Sequence, residues 1–215
     1  MPMPLLRNLL LLVLCVFGPA CGKEIPGRPP AKDYARLIEP LIDPAKLATL
    51  GDRGANPRVQ KAVAILWAAK QDGQDPGKVA AEVVIRIGWA GTAKGNMTAY
   101  ALVRNLTIIE RLGADTPADI EAMKRGKAPT VRKGPYSGDI VSVDHIVPRA
   151  VAPELDNVIA NLEFMPLKLN QSKKDHIGDR QVSVAKALRD AGLLSEDGLK
   201  RVMLLGNPST TQTHD

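Results

Sequence analysis

Asp144 and His145 stand side by side in the run Val143-Asp144-His145-Ile146-Val147-Pro148, and this pair is where chemistry first becomes legible in the chain. A neutral imidazole, with an unperturbed pKa of about 6.5, accepts a proton at physiological pH and can activate water. Asp144 offers a carboxylate oxygen and Asn170, farther along, an amide oxygen; both suit a hard divalent cation. Lys173 and Lys174 follow one turn beyond Asn170, where they either contact phosphate or form a solvated face. Hydrolysis of a phosphodiester needs a base for the attacking water and positive charge at the scissile phosphate and departing oxygen. The bland alternatives are capping roles for Asp144 and Asn170, and capping does not exclude ligation.

Elements must hold these residues. From Asp139 to Pro148 β-branched residues recur with period two, which predicts a strand closed by proline. Asn161-Leu162-Glu163-Phe164-Met165-Pro166 predicts a second short strand, again closed by proline. From Leu167 a helical stretch is expected to carry Asn170, Lys173, Lys174 and His176. Neighbouring strand residues point to opposite faces, so Asp144 and His145 can serve one site only where the strand ends or bends. Pro148 is consistent with such an end. A strand–loop–strand–helix unit of this size has little core of its own, and the preceding helices would have to supply its packing partner.

Taken in order, Val143 to Pro148, the stretch from Asp156 to Asn161-Leu162, and Leu169-Asn170-Gln171-Ser172-Lys173 resemble the HNH, or ββα-metal, nuclease motif over about 35 residues, Gly138 to Lys174. The resemblance implies that Asp144 and Asn170 hold a metal, that His145 activates water, and that Asn161 braces the loop and orients the histidine. Asn157 competes with Asn161 for that bracing role. Asn170 stands where histidine-rich versions of the motif carry His, which favours Mg²⁺ or Mn²⁺ over Zn²⁺. His176 is the alternative third ligand, ranked lower because it lies almost two helical turns past Asn170. The implied partner is nucleic acid, DNA first and RNA second, with Lys173, Lys174, Arg149 and Arg180 as phosphate contacts. Arg180 has a plainer alternative, pairing with Asp179 or Glu163.

The first half reads as a helical layer. Two short helices are expected between Ala31 and Leu50, interrupted at Pro40 and Pro44. Pro57 reads as the first residue of a helix whose Val59, Ala62, Val63, Leu66 and Trp67 share one face. Val79, Val83, Val84 and Ile87 mark another, Ala99, Leu102, Val103, Leu106 and Ile109 a third stopped by Gly113, and Pro117 to Met123 a short fourth. These faces read as core. Two N-glycosylation patterns, at Asn96 and Asn105, fall within or beside a predicted helix and read as chance. A helix pair is expected from Asp179 to Leu205, with a break at Gly192 and a start near Ser195.

Composition bounds the rest. The chain has 215 residues, 45% apolar and 24% charged, with only 3% aromatic, so its core must come from Leu, Ile, Val and Ala. That balance excludes wholesale disorder, and no apolar run reaches the ~18 residues of a membrane span. The two cysteines, Cys15 and Cys21, exclude a disulfide framework or a cysteine-based zinc site in the body. Net charge is +6; residues 21–123 carry 14 basic and 12 acidic side chains, residues 124–190 carry 12 and 8. The basic excess is thus densest around the candidate site.

Residues 1–20 read as a secretory signal: one positive charge at Arg7, an apolar run from Leu9 to Phe17, then small residues. Cleavage after Ala20 would make Cys21 the first residue, as in bacterial lipoproteins; simple cleavage and free secretion is the equal alternative. Residues 21–30 read as a flexible linker and 207–215 as a disordered tail. The expected fold is mainly α: a helical region over 31–126, then a small ββα-metal (HNH) unit within 127–206. The expected function is an exported, metal-dependent endonuclease. An inactive nucleic-acid-binding module and a lipid-anchored scaffold are the alternatives.

Overall fold

The computed structural model describes residues 31–206; the expected signal, the linker, both cysteines and the C-terminal tail lie outside the described residues. The described chain is mainly helical with one small antiparallel sheet. Helices α1 (Tyr34–Ile42), α2 (Pro44–Leu47), α3 (Asn56–Gln71), α4 (Pro76–Arg86), α5 (Ala93–Arg111) and α6 (Pro117–Lys124) come first. Strand β1 (Val141–His145), two 3-10 turns (Pro153–Leu155 and Ile159–Asn161), strand β2 (Leu162–Pro166) and helices α7 (Leu167–Lys173), α8 (Asp179–Asp190) and α9 (Glu196–Gly206) follow. From Asp33 onward the described chain forms one compact unit. None of its helices is long and apolar enough to cross a membrane.

The helices start and stop where their end groups are satisfied. Asp33, Asp43, Asp75, Thr92 and Thr116 each accept a backbone N–H of the first turn that follows, the N-cap bond that an isolated helix end lacks. Gly113, with φ of 62°, takes the left-handed conformation just past α5 and ends it. Two boundaries differ from the sequence reading. The break between α1 and α2 falls at Asp43, and Pro40 is accommodated inside α1. Asn56 precedes Pro57 in α3, so proline occupies the second helical position.

Helix α3 is the centre of the helical layer, packed by α1, α4, α5 and α6. Val59, Ala62, Val63, Ala64, Leu66 and Ala69 are all fully buried, so α3 is apolar on more than the single face expected, and Trp67 is only partly covered. The face expected of α5 is also adjusted: Leu102, Leu106 and Ile109 are buried, Ala99 and Val103 half-buried. Between them sits Asn105, completely buried, its Nδ2 donating to Leu162 O at 3.0 Å and its Oδ1 accepting from Phe164 N at 2.8 Å. The sheet is therefore docked to α5 by a side chain that imitates another strand. Burial also removes the Asn105 pattern from reach of a glycosyl carrier in the folded state.

The strands pair in the register Val141↔Pro166, Val143↔Phe164, Asp144↔Glu163 and His145↔Leu162. Val141, Leu162 and Phe164 join the core of the helical layer. A second core forms where Val147, Val151, Ala152, Leu155 and Ala160 of the β1–β2 connection pack on Ala185 and Leu188 of α8 and Leu199 and Val202 of α9. The expected helix pair at the end of the chain thus supports the loop beside the candidate site. At roughly 1.5–3 kcal/mol for each fully buried Leu, Val or Ile, this second cluster is a substantial anchor for that loop.

Candidate active site at the end of β1

Alternation along β1 sends Val141, Val143 and His145 toward the helical layer and Ser142 and Asp144 toward α7. Because β1 ends at His145, both adjacent side chains reach one cleft of about 540 Å³ at the strand end. Asn170 of α7 and Arg149, Lys174 and Arg53 line the same cleft.

His145 is fixed from behind. Its Nε2 lies 2.9 Å from the backbone oxygen of Asp156 and 3.1 Å from Oδ1 of the same residue. The Nε2 proton is directed at the carbonyl, which leaves Nδ1 as the nitrogen with a lone pair, and Nδ1 has no hydrogen bond among the described residues. Asp156 is itself held: its Oδ2 accepts the backbone N–H of Arg53 at 2.8 Å. Asn161 is fully buried, with Oδ1 accepting from Val147 N at 2.9 Å and Nδ2 donating to Val147 O at 3.0 Å. It ties down the loop immediately after the strand. Asn157 does something different: its Oδ1 accepts from Ala55 N at 2.9 Å, and its Nδ2 donates to Gly51 O at 3.2 Å. That bonds the loop to the turn between α2 and α3.

On the other face, Asp144 is buried and its Oδ2 is paired with the ammonium of Lys173. Lys173 also donates to His145 O at 2.9 Å. Burial pushes the Asp144 carboxyl above its ordinary value, Lys173 opposes that shift, and the charge of Glu163 directly across the sheet adds to it. Glu163 is clamped by Arg180 through two hydrogen bonds, 2.7 and 2.5 Å. The charge-assisted bonds to Glu163 hold the Arg180 guanidinium above its usual range. Asn170 donates its Nδ2 to Ser142 Oγ at 3.1 Å, which orients the amide and leaves Oδ1 unengaged.

Set against the sequence, the arrangement unites some expected residues and separates others. Asp144, His145, Asn170, Arg149 and Lys174 share the cleft. Arg149 also pairs with Asp52 at 2.6 Å. Lys173 is engaged under the strand end by Asp144, and Arg180 takes the plainer alternative of pairing with Glu163. The expected helical stretch stops at Lys173, because Lys174 turns to φ of 51° and ψ of −147°. Lys174 and His176 therefore lie beyond α7, and exposed His176 is not among the cleft's lining residues. Asn170 is the fourth residue of α7, so it is not a cap. Arg53, and Asp156 as the partner of His145, were not legible: their contact spans 103 positions, and no local pattern marks it.

A hard cation finds a fitting but sparse donor set here. Asp144 keeps one carboxylate oxygen outside the Lys173 pair, and Asn170 Oδ1 is unengaged on the same cleft. Among the described residues no three of His, Cys, Asp and Glu gather into a metal nest. Two oxygens suit an ion that keeps most of its water, as Mg²⁺ does, and not a thiolate- or imidazole-seeking one. Comparison with protein-family models, curated proteins and solved structures finds no match to this chain.

Proposed function

We propose that this chain is a metal-dependent endonuclease of the HNH (ββα-metal) type, acting on DNA, with RNA as the alternative substrate. One observation carries the reading: His145 presents a free Nδ1 to a cleft that also holds Asp144, Asn170 and basic side chains. Nδ1 takes the proton of the attacking water, while the Nε2–H bond to Asp156 O keeps the ring in the required tautomer. The Asp156 carboxylate, 3.1 Å away, stabilises the imidazolium that forms. Asn161 holds the following loop rigid, so the ring does not swing away. A divalent cation held by Asp144 and Asn170, with water and substrate phosphate completing its shell, would supply positive charge at the scissile phosphate and departing oxygen. The N-terminal pattern supports export, with a lipid on Cys21 as one form of it.

The Lys173–Asp144 pair favours a second reading, a nucleic-acid-binding module without catalysis, because an ammonium already neutralises the carboxylate. Incubating the purified chain with supercoiled plasmid and with single-stranded RNA, each with Mg²⁺ or with chelator, separates the two. Metal-dependent nicking supports the nuclease. Retarded migration without cutting supports the binding module.

A further inference from the structure

Two described residues other than glycine adopt positive φ, Arg53 at 54° and Lys174 at 51°, and both line the candidate cleft. Side chains with a Cβ avoid this region unless their surroundings hold them there. Around Arg53 those surroundings are explicit. Its N–H donates to Asp156, Ala55 N–H donates to Asn157, and Asp52 pairs with Arg149. The turn between α2 and α3 is thus stapled to the segment that fixes His145. Glycine would meet every one of these backbone demands at lower conformational cost. Yet the position carries a long cationic side chain, exposed and with no hydrogen bond or ion pair among the described residues, since its acidic neighbour Asp52 is engaged by Arg149.

We propose that Arg53 is a substrate-binding residue, a guanidinium delivered from the helical layer to a backbone phosphate beside the bond cut by the water that His145 activates. This deepens the nuclease reading and rests on it. The planar guanidinium fork matches two phosphate oxygens at once, which a flexible ammonium does not. Lys174 brings a second unengaged cation to the cleft from the far end of α7, so the cleft offers charge to more than one phosphate. A strand with phosphates on both sides of the cut is then the preferred substrate, ahead of a mononucleotide phosphodiester. The helical layer takes part in binding as well as in folding.

The test is Arg53→Gly, because glycine keeps the turn's backbone and removes only the side chain. The full chain and the variant are titrated with a fluorescein-labelled DNA duplex in chelator, across about 50 to 200 mM salt. Melting temperature is read in parallel. The expected result is a melting temperature equal to or above wild type, affinity lower by about eightfold at 0.1 M salt, and a salt slope shallower by ~1. Arg53→Lys restores the slope and part of the affinity. Wild-type affinity and slope in Arg53→Gly overturn the assignment while leaving the nuclease reading intact. A binding loss that comes with a lowered melting temperature and is not restored by Lys also overturns it, in favour of a structural role. A folded wild-type chain that neither binds nor cuts overturns both readings.

Discussion

On one face of the strand pair, Val141, Leu162 and Phe164 press into the helical core; on the other, Asp144 and Glu163 lie opposite each other under α7 and Arg180. The same register produces both. The apolar face contributes adhesion, and Asn105 adds the hydrogen bonds that fix where β2 lies. The polar face contributes two buried carboxylates, one closed off by a bidentate arginine and the other left with an oxygen at the cleft. A sheet this small joins structural and chemical duties because its strand ends where the two faces meet, at His145. The contrast implies that substitutions of the buried apolar residues should act chiefly through stability, and those of the polar residues lining the cleft chiefly through activity.

Phe164→Ala should break the apolar face outright. Phe164 is 2% exposed, and removing a buried Phe side chain costs about 3–5 kcal/mol, read as a fall in denaturation midpoint. A midpoint shift well under that range would mean that the sheet is not anchored by its apolar face. Asn105→Ala should cost less, about 1–3 kcal/mol, because it orphans the buried N–H of Phe164 while Leu162 O keeps its bond from Arg104. Near-native stability in that variant would show that the sheet docks without it.

Asn170→Ala sharpens the other side of the comparison. Its side chain makes one half-buried bond to Ser142, so stability should change by no more than roughly 0.5 kcal/mol, whereas metal-supported cleavage should largely disappear. Excess Mg²⁺ should restore only part of it, and Asn170→Asp should retain some activity by keeping an oxygen. Full activity of Asn170→Ala at low Mg²⁺ would remove Asn170 from the site.

The smallest effect concerns pH. Burial holds the Asp144 carboxyl above its ordinary value of 3.8, Lys173 opposing and Glu163 reinforcing the shift. The folded state then binds that proton more readily than the unfolded chain. Its contribution to stability is full below the unfolded value and lost as pH rises through the raised one. The melting-temperature difference, wild type minus Asp144→Asn, should accordingly shrink as pH rises from 3.8 toward neutrality. A difference independent of pH would mean that Lys173 fully offsets burial.

How much of this was legible in the sequence depends on range. Period-two β-branched residues closed by Pro148 and Pro166, and apolar spacing in α3 to α5 and α8 to α9, report local geometry, and those elements stand within a few residues of expectation. The mainly helical body was expected from that apolar spacing, and the low aromatic content, 3%, agrees with it. What escaped is non-local. Asp156 carries no motif that marks it as the residue behind His145, and the Arg53 turn reads as an ordinary loop until the fold brings it to Asp156. The end of α7 has no local signal, because residues 167–176 contain no glycine or proline to announce a stop; the chain turns at Lys174 through its backbone alone. Sequence leaves Lys173 as either a phosphate contact or a solvated cation, because its partner, Asp144, lies 29 positions earlier on another element.

The measurement that bears most directly on the account is the single-turnover rate of plasmid cleavage by wild type and His145→Ala at saturating Mg²⁺, with both proteins shown folded by circular dichroism and by melting temperature. His145 sits at a strand end and its ring bonds only Asp156, so the variant should fold while its rate falls by about 10²–10⁴. Equal rates in the two proteins would contradict the account, and so would a folded wild type that cuts neither DNA nor RNA.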